Sequence, residues 1–197
     1  MRRLLTLGLA TTLMAALAVP AAAAPPDFAQ KSAATIVETA LAVSGPDWDL
    51  ADPTSNFDDN PDDFDILINA LLATGAVGLF DGDTNWTVFA PTDQAFLDLA
   101  SALAGSTITD EGEAFSTIAG AVGVDGVLSV LAYHLTEGVR NSVSVTRAKQ
   151  VTMFDGNPIS ARGGSVDAIG SDAGFVAVDL RVADGIIHII DTVLLPF

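Results

Sequence analysis

The segment GIIHIIDTVLL, residues 185–195, constrains the fold more than any other part of the chain. Ile186, Ile187, Ile189 and Ile190 put apolar side chains on both parities of a strand, so neither face is left for water. A strand of that kind belongs in the interior of a sheet. Immediately before it, Asp184-Gly185 reads as a hairpin turn. Before that, Phe175 to Val182 alternates, with Val176, Val178, Leu180 and Val182 on one face.

The remaining β-prone stretches between Gly138 and this hairpin are short: Val143–Val145, Gln150–Phe154, Pro158–Ala161 and Ser165–Ile169, separated by Gly, Asn and Asp. Upstream the rhythm is helical. Residues 32–43 place Ile36, Val37, Ala40 and Leu41 on one face, with Ser32 able to cap and Gly45-Pro46 as the stop. Phe64, Leu67, Ile68, Leu71 and Leu72 follow i, i+3, i+4 spacing, and Gly75 suits the C-terminal cap. Trp86–Ala90 alternates as a strand that Pro91 terminates. Thr92 or Asp93 then caps a helix with Phe96, Leu99, Ala100 and Leu103 buried. Residues 109–121 and 125–135 predict two further helices, the first with Asp110, Glu111 and Glu113 at its positive end. Helices first and strands later indicate an α+β fold.

Half of the 197 residues are hydrophobic, enough for a core despite a net charge of −17. The acidic residues are 21 Asp and only 4 Glu. Asp favours caps, turns and cation-binding loops over helix interiors. This charge repels phosphate backbones and anionic surfaces, which argues against nucleic acid as a partner. The absence of cysteine rules out disulfides, thiolate metal sites and a cysteine nucleophile.

The N-terminus, MRRLLTLGLATTLMAALAVPAAAAPPDFAQ, has a basic start at Arg2-Arg3, an uncharged apolar run and a small-residue cleavage region. These are the features of a secretory leader of bacterial type, by either the general or the twin-arginine route. Residues 1–23 are assigned as signal peptide, 24–31 as a short linker and 32–197 as one domain. Export leads to the periplasm, the exterior or the cell surface. No later segment reads as long and apolar enough to cross a bilayer.

TVFAPTDQAF, residues 87–96, resembles the first signature of the fasciclin (FAS1) domain, and GIIHIIDTVLLP, residues 185–196, resembles the second. LAYHL between them carries Tyr133-His134, which is similar to the family's Tyr-His motif. The resemblance covers about residues 32–196. It implies a β-sandwich-like wedge with N-terminal and flanking helices. It also implies a non-enzymatic role in adhesion, through a cell-surface or matrix protein or a glycan. Thr92, Asp93, Tyr133, His134, His188 and Asp191 are the motif residues it singles out. Integrin binding, a property of animal members, does not carry over to a chain with a bacterial-type leader and no RGD. Read from chemistry alone, Thr92 and Asp93 cap a helix, Tyr133-His134 ends one, and His188 is a neutral core residue in an apolar strand.

Enzyme signatures are absent: there is no G-x-S-x-G, no P-loop and no H-E-x-x-H, and the two histidines lie on separate elements. A hydrolase built from residues that converge only in space stays as a minor alternative.

The acidic segment FDDNPDDFDIL, residues 57–67, ends a Pro- and Asp-rich insertion at 46–63 that also holds Asp47, Asp49 and Asp52. Two readings compete. In one, Asp58, Asp59, Asn60, Asp62, Asp63 and Asp65 form an irregular calcium site, with Phe57 and Phe64 anchoring the loop. It is not an EF-hand, because the sixth position is Asp63 rather than Gly and the twelfth is Asn69 rather than Glu. In the other, the acids are solvated, and Asp62, Asp63 and Asp65 act as helix-end charges. A second alternation, Asp81/Asp83/Asn85, reads as an ordinary turn.

Overall fold

The computed structural model describes residues 33–45, 56–80 and 83–197. The leader, the linker, Ser32, Asp47, Asp49, Asp52 and Asp81 lie outside the described residues.

Among the described residues, five α-helices, one 3-10 turn at Ala76–Leu79 and seven strands make an α+β domain. Helix α1 is Ile36–Val43, α2 Asp65–Thr74, α3 Asp93–Ala104, α4 Glu111–Tyr133 and α5 Ser142–Arg147. The strands are β1 Trp86–Pro91, β2 Leu135–Glu137, β3 Val151–Thr152, β4 Pro158–Arg162, β5 Ser165–Asp167, β6 Asp172–Val182 and β7 Gly185–Ile190. They form one sheet in the order β2-β1-β7-β6-β5-β4-β3. Only the β1/β7 pair is parallel; the two fasciclin-like signatures therefore lie side by side, with Phe89 opposite His188.

β7 is interior, between β1 and β6, as its two apolar faces require. Trp86, Val88, Ala90 and Ile187 join the helices in one core. Phe89 and Ile190, on the opposite face, join Tyr133, Val145, Val151, Ile159 and Val166 in a second. The β3–β5 region thus folds back over the β1/β7 pair, giving two β layers with α1–α4 on the far side and α5 packed against β4.

The helical starts follow their caps. α1 opens on a capping box: Thr35 accepts from the Glu38 N–H, and Glu38 accepts from the Thr35 N–H. Its first turn is pinned to the β6/β7 hairpin, where the Ile36 N–H donates to Asp184 Oδ1 at 2.7 Å.

Four sequence expectations need correction. Val143–Val145 is helical, within α5. Asn141 caps that helix by accepting from the Ser144 N–H at 2.8 Å, and Asp179 receives both the N–H and the hydroxyl of Ser142. Cap and docking outweigh the β preference of two valines. Second, β6 does not keep one apolar face, because register shifts fall between Phe175 and Ala177 and between Ala177 and Leu180. Asp179 takes φ 65° at the second irregularity. Val176 and Val178 therefore turn outward, 60% and 38% exposed. Third, the hairpin turn is Ala183-Asp184, and Gly185 opens β7. Its glycine identity comes from close approach: a Cβ there would press into the Trp86 carbonyl oxygen.

The fourth concerns α4, which by length and composition alone is apolar enough to cross a membrane. In the fold it is broken at Gly123, with φ 71° and ψ 171°, and it packs against both α2 and α3. One face of it, with Ala114, Ile118, Val127, Val130 and Leu131, lines the core, while Val124 and Leu128 stay exposed. The break also reconciles one element with the two helices predicted over 109–121 and 125–135.

Candidate functional site

Three helices begin at one place, each on an acidic residue. The first residues of α2, α3 and α4 are Asp65, Asp93 and Glu111, and all three are buried at 0%, 0% and 2% exposure. Asp63, just before α2, is 1% exposed. Carboxylate oxygens of Asp63, Asp65 and Asp93 lie within 4.8 Å of one another, as do those of Asp58, Asp63 and Glu111. Asp63 belongs to both groups.

Local bonding explains how the chain reaches this arrangement. Asp93 does not cap its own helix. Its two oxygens accept from the N–H groups of Asp65 and Ile66, at 2.8 and 2.9 Å, at the start of α2. In return, the N–H groups of Asp93 and Gln94 donate to the carbonyls of Asp63 and Pro61 at 3.0 and 2.8 Å. Thr92 holds the N-cap position of α3 without a side-chain hydrogen bond, and is buried. The expectation that Thr92 or Asp93 caps α3 with its side chain therefore fails: Thr92 makes no such bond, and Asp93 spends both oxygens on the start of α2. Glu111 accepts from the Asp58 N–H at 3.0 Å and so ties the acidic loop to α4. Asn60 donates to Asp63 Oδ2 at 2.9 Å, and its N–H donates to Asp58 Oδ1. Phe64 is buried, and Phe57 packs on Phe115 with ring centroids 6.2 Å apart, so both aromatics anchor the loop.

The bonding leaves specific oxygens over. Asp63 Oδ1 and both carboxylate oxygens of Asp65 are buried and have no hydrogen-bond partner. Burial raises the Asp65 carboxyl to about 7, with the negative charge of Asp63 adding to the effect and the nearby Ser44 hydroxyl opposing it. Burial likewise pushes Glu111 up to about 8; the Asp58 N–H opposes this, and the neighbouring carboxylates reinforce it. Asp93 is raised chiefly by burial and by the adjacent Asp63 carboxyl, against the two helix N–H groups. Among the described residues no Lys or Arg pairs with these carboxylates. The positive ends of three helices compensate part of the charge.

Of the acidic residues singled out in sequence, Asp58, Asp63 and Asp65 come together. Asn60 adjoins them through Asp63, whereas Asp59 and Asp62 are exposed and stand outside both groups. Asp63 and Asp65 are not solvated helix-end charges. Asp93 and Glu111 are the residues that sequence reasoning did not place here. Their one sequence signal is an acid at the first position of three successive helices.

The other motif residues hold the fold together. The Tyr133 hydroxyl donates to the Pro158 carbonyl at 3.0 Å and accepts from the Ile169 N–H at 3.1 Å. His134 Nε2 accepts from the Leu194 N–H at 2.9 Å, so Nδ1 carries the proton donated to the Val130 carbonyl. Burial lowers its pKa to about 4. His188 is the opposite tautomer: Nδ1 accepts from the Asp179 N–H at 3.2 Å and Nε2 donates to the Arg140 carbonyl at 2.9 Å. Its pKa too is lowered by burial. Tyr133, His134 and His188 are at most 3% exposed, so none of the three presents its side chain to a partner. Asp191 is exposed and accepts from the Gly174 N–H at 2.7 Å, tying the end of β7 to β6.

The comparisons with known proteins agree with this architecture. The model of the fasciclin domain matches residues 62–196. Two proteins of Synechocystis sp. (strain ATCC 27184 / PCC 6803 / Kazusa) are similar over 135 residues. Protein sll1483 is 27% identical, covering 68% of this chain and 67% of its own length; protein sll1735 is 30% identical, covering 67% and 89%. Among solved structures, a FAS1 domain pair from the insect cell adhesion molecule fasciclin I superposes with a TM-score of 0.59 at 13% identity, over 83% of this chain and 51% of that one. At that identity the likeness speaks for the fold. With the family model spanning both signatures and all seven strands, the chain belongs to the fasciclin domain family.

Proposed function

We infer that this is an exported, non-enzymatic contact module, which attaches to a protein or glycan of a cell surface or matrix. Fasciclin domains are in general adhesion-related modules, found outside cells or at their surface, and the leader-like N-terminus agrees with export. The observation that carries the reading is the state of the two histidines. Both are buried, both are neutral, and all four ring nitrogens are engaged with backbone groups. A hydrolytic base needs a nitrogen within reach of substrate, and neither histidine offers one.

The test uses beads coated with the purified chain, presented to cells of the producing organism and to glycan and protein arrays. Retention that the soluble chain competes away supports the reading. Beads that behave like albumin-coated ones on all three surfaces would sink it. Export has its own check: mass spectrometry of the secreted fraction should find a chain beginning at Ala24.

A further inference from the structure

We propose that the carboxylates converging on the starts of α2, α3 and α4 form a binding site for one calcium-class divalent cation, with Asp63 as the central ligand. Asp58, Asp65, Asp93 and Glu111 complete it. The site is independent of the adhesive reading, and it differs from a linear calcium loop in drawing two of its five acids from distant helices.

A buried carboxylate persists when hydrogen bonds, a counter-charge or a metal compensates it. Asp93 meets that condition through two helix N–H groups. Asp65 does not: it is fully buried, and neither of its oxygens has a partner. Asp63 Oδ1 is in the same condition, and Asp63 has a carboxylate oxygen within 4.8 Å of the other members of each group of acids. A calcium ion binds oxygen at roughly 2.3–2.6 Å, so oxygens on opposite sides of one ion stand about 5 Å apart. Both triads fall within that span.

The donor set suits a hard cation. All the candidate ligands are oxygens, there is no Cys in the chain, and neither histidine belongs to either triad. Six to eight oxygens are required. The unpartnered oxygens of Asp63 and Asp65 supply three; Asp58, Asp93 and Glu111 bring the total into range. Asp58 is exposed, which gives the ion a way in and room for water. The hydrogen bonds from Asn60 to Asp63 and from the Asp58 N–H to Glu111 orient the ligands from outside. Bound metal would fix the acidic loop to three helix starts at once.

The decisive experiment is calorimetric titration of the EDTA-stripped full chain with calcium chloride, alongside thermal melts in calcium and in EGTA. Saturable binding of one ion is expected, with a dissociation constant of about 1 mM or tighter. The melting midpoint should rise by roughly 5 °C or more at saturating calcium. Asp58→Asn, at an exposed position where the amide oxygen keeps an acceptor for the Asn60 N–H, and Glu111→Gln, which keeps an acceptor for the Asp58 N–H, should each weaken binding about tenfold or more. Asp59→Asn and Asp62→Asn should leave it within about twofold. No heat and no midpoint shift from the folded wild type at about 10 mM calcium would overturn the site, leaving protonated carboxyls as the state of the cluster. Equal losses from all four variants would also overturn it, because diffuse attraction to an acidic loop would then explain the binding. Failure here leaves the bead-retention result untouched, so the two readings fall separately.

Discussion

The carboxylate of Asp93, the first residue of α3, caps α2 by accepting the N–H groups of Asp65 and Ile66 at 2.8 and 2.9 Å. The helix that follows β1 thereby supplies the cap that α2 lacks, since Phe64 at the N-cap of α2 makes no side-chain hydrogen bond. Two acids that each open a helix sit side by side: Asp93 is bonded into the fold, and Asp65 is not.

That asymmetry predicts opposite results from neighbouring substitutions. In chelator, Asp93→Ala leaves two buried N–H groups without acceptors and should destabilise by about 2–3 kcal/mol. Asp65→Asn removes a buried, unpartnered charge and should leave the urea midpoint unchanged or higher. Equal losses from the two would show that Asp65 is as structural as Asp93.

Gly185 and Gly78 separate close approach from backbone freedom. Neither residue has positive φ. A Cβ at 185 would drive into the Trp86 backbone carbonyl, which no rotamer change relieves, whereas nothing lies within 4 Å of a Cβ at 78. Gly185→Ala should therefore cost about 3 kcal/mol or more by forcing β1 from β7. Gly78→Ala should stay within roughly 0.5 kcal/mol. Denaturant midpoints of the two variants decide the matter, and a mild Gly185→Ala would mean that the parallel pair is looser than its register implies.

Much of the fold was legible because its signals are local. β7 carries its interior position in Ile186–Ile190, and Phe64–Leu72 and Phe96–Ala100 carry buried faces at helical spacing; Leu103, expected in the second stripe, is 47% exposed at the end of α3. The irregularities of β6 were not legible, since the outward turn of Val176 and Val178 comes from pairing with β7 rather than from their own preferences. α5 was missed for a related reason: Asp179, 37 residues away, docks its first turn. The acidic cluster was half visible. Asp58, Asp63 and Asp65 lie in one run, but the Asp58–Glu111 contact spans 53 residues and the Asp65–Asp93 contact 28. No spacing rule joins residues on different helices before the helices are packed.

Tyr133 links β4 to the segment after β5 through one hydroxyl, which donates to Pro158 and accepts from Ile169. Tyr133→Phe keeps the ring and orphans both partners. A loss of about 1–2 kcal/mol in urea unfolding is expected. Bead retention should be unaffected, because the side chain is fully buried. Lost retention in a variant of normal stability would mean that this hydroxyl reaches a partner.

His134 gives the pH dependence its sign. The ring is neutral in the fold, facing only the Val130 carbonyl and the Leu194 N–H, and no charged side chain contributes to its shift. Its pKa falls from 6.5 to about 4 on folding, through burial. Between those values the unfolded chain binds the extra proton, so this residue's contribution is complete above pH 6.5 and drains away as the pH falls towards 4. The full contribution is roughly 3 kcal/mol. Ring resonances followed by NMR should show His134 without titration between pH 8 and about 5. A ring that titrates near 6.5 would mean the imidazole reaches water, and the acid-side loss of stability would then have to come from elsewhere in the chain.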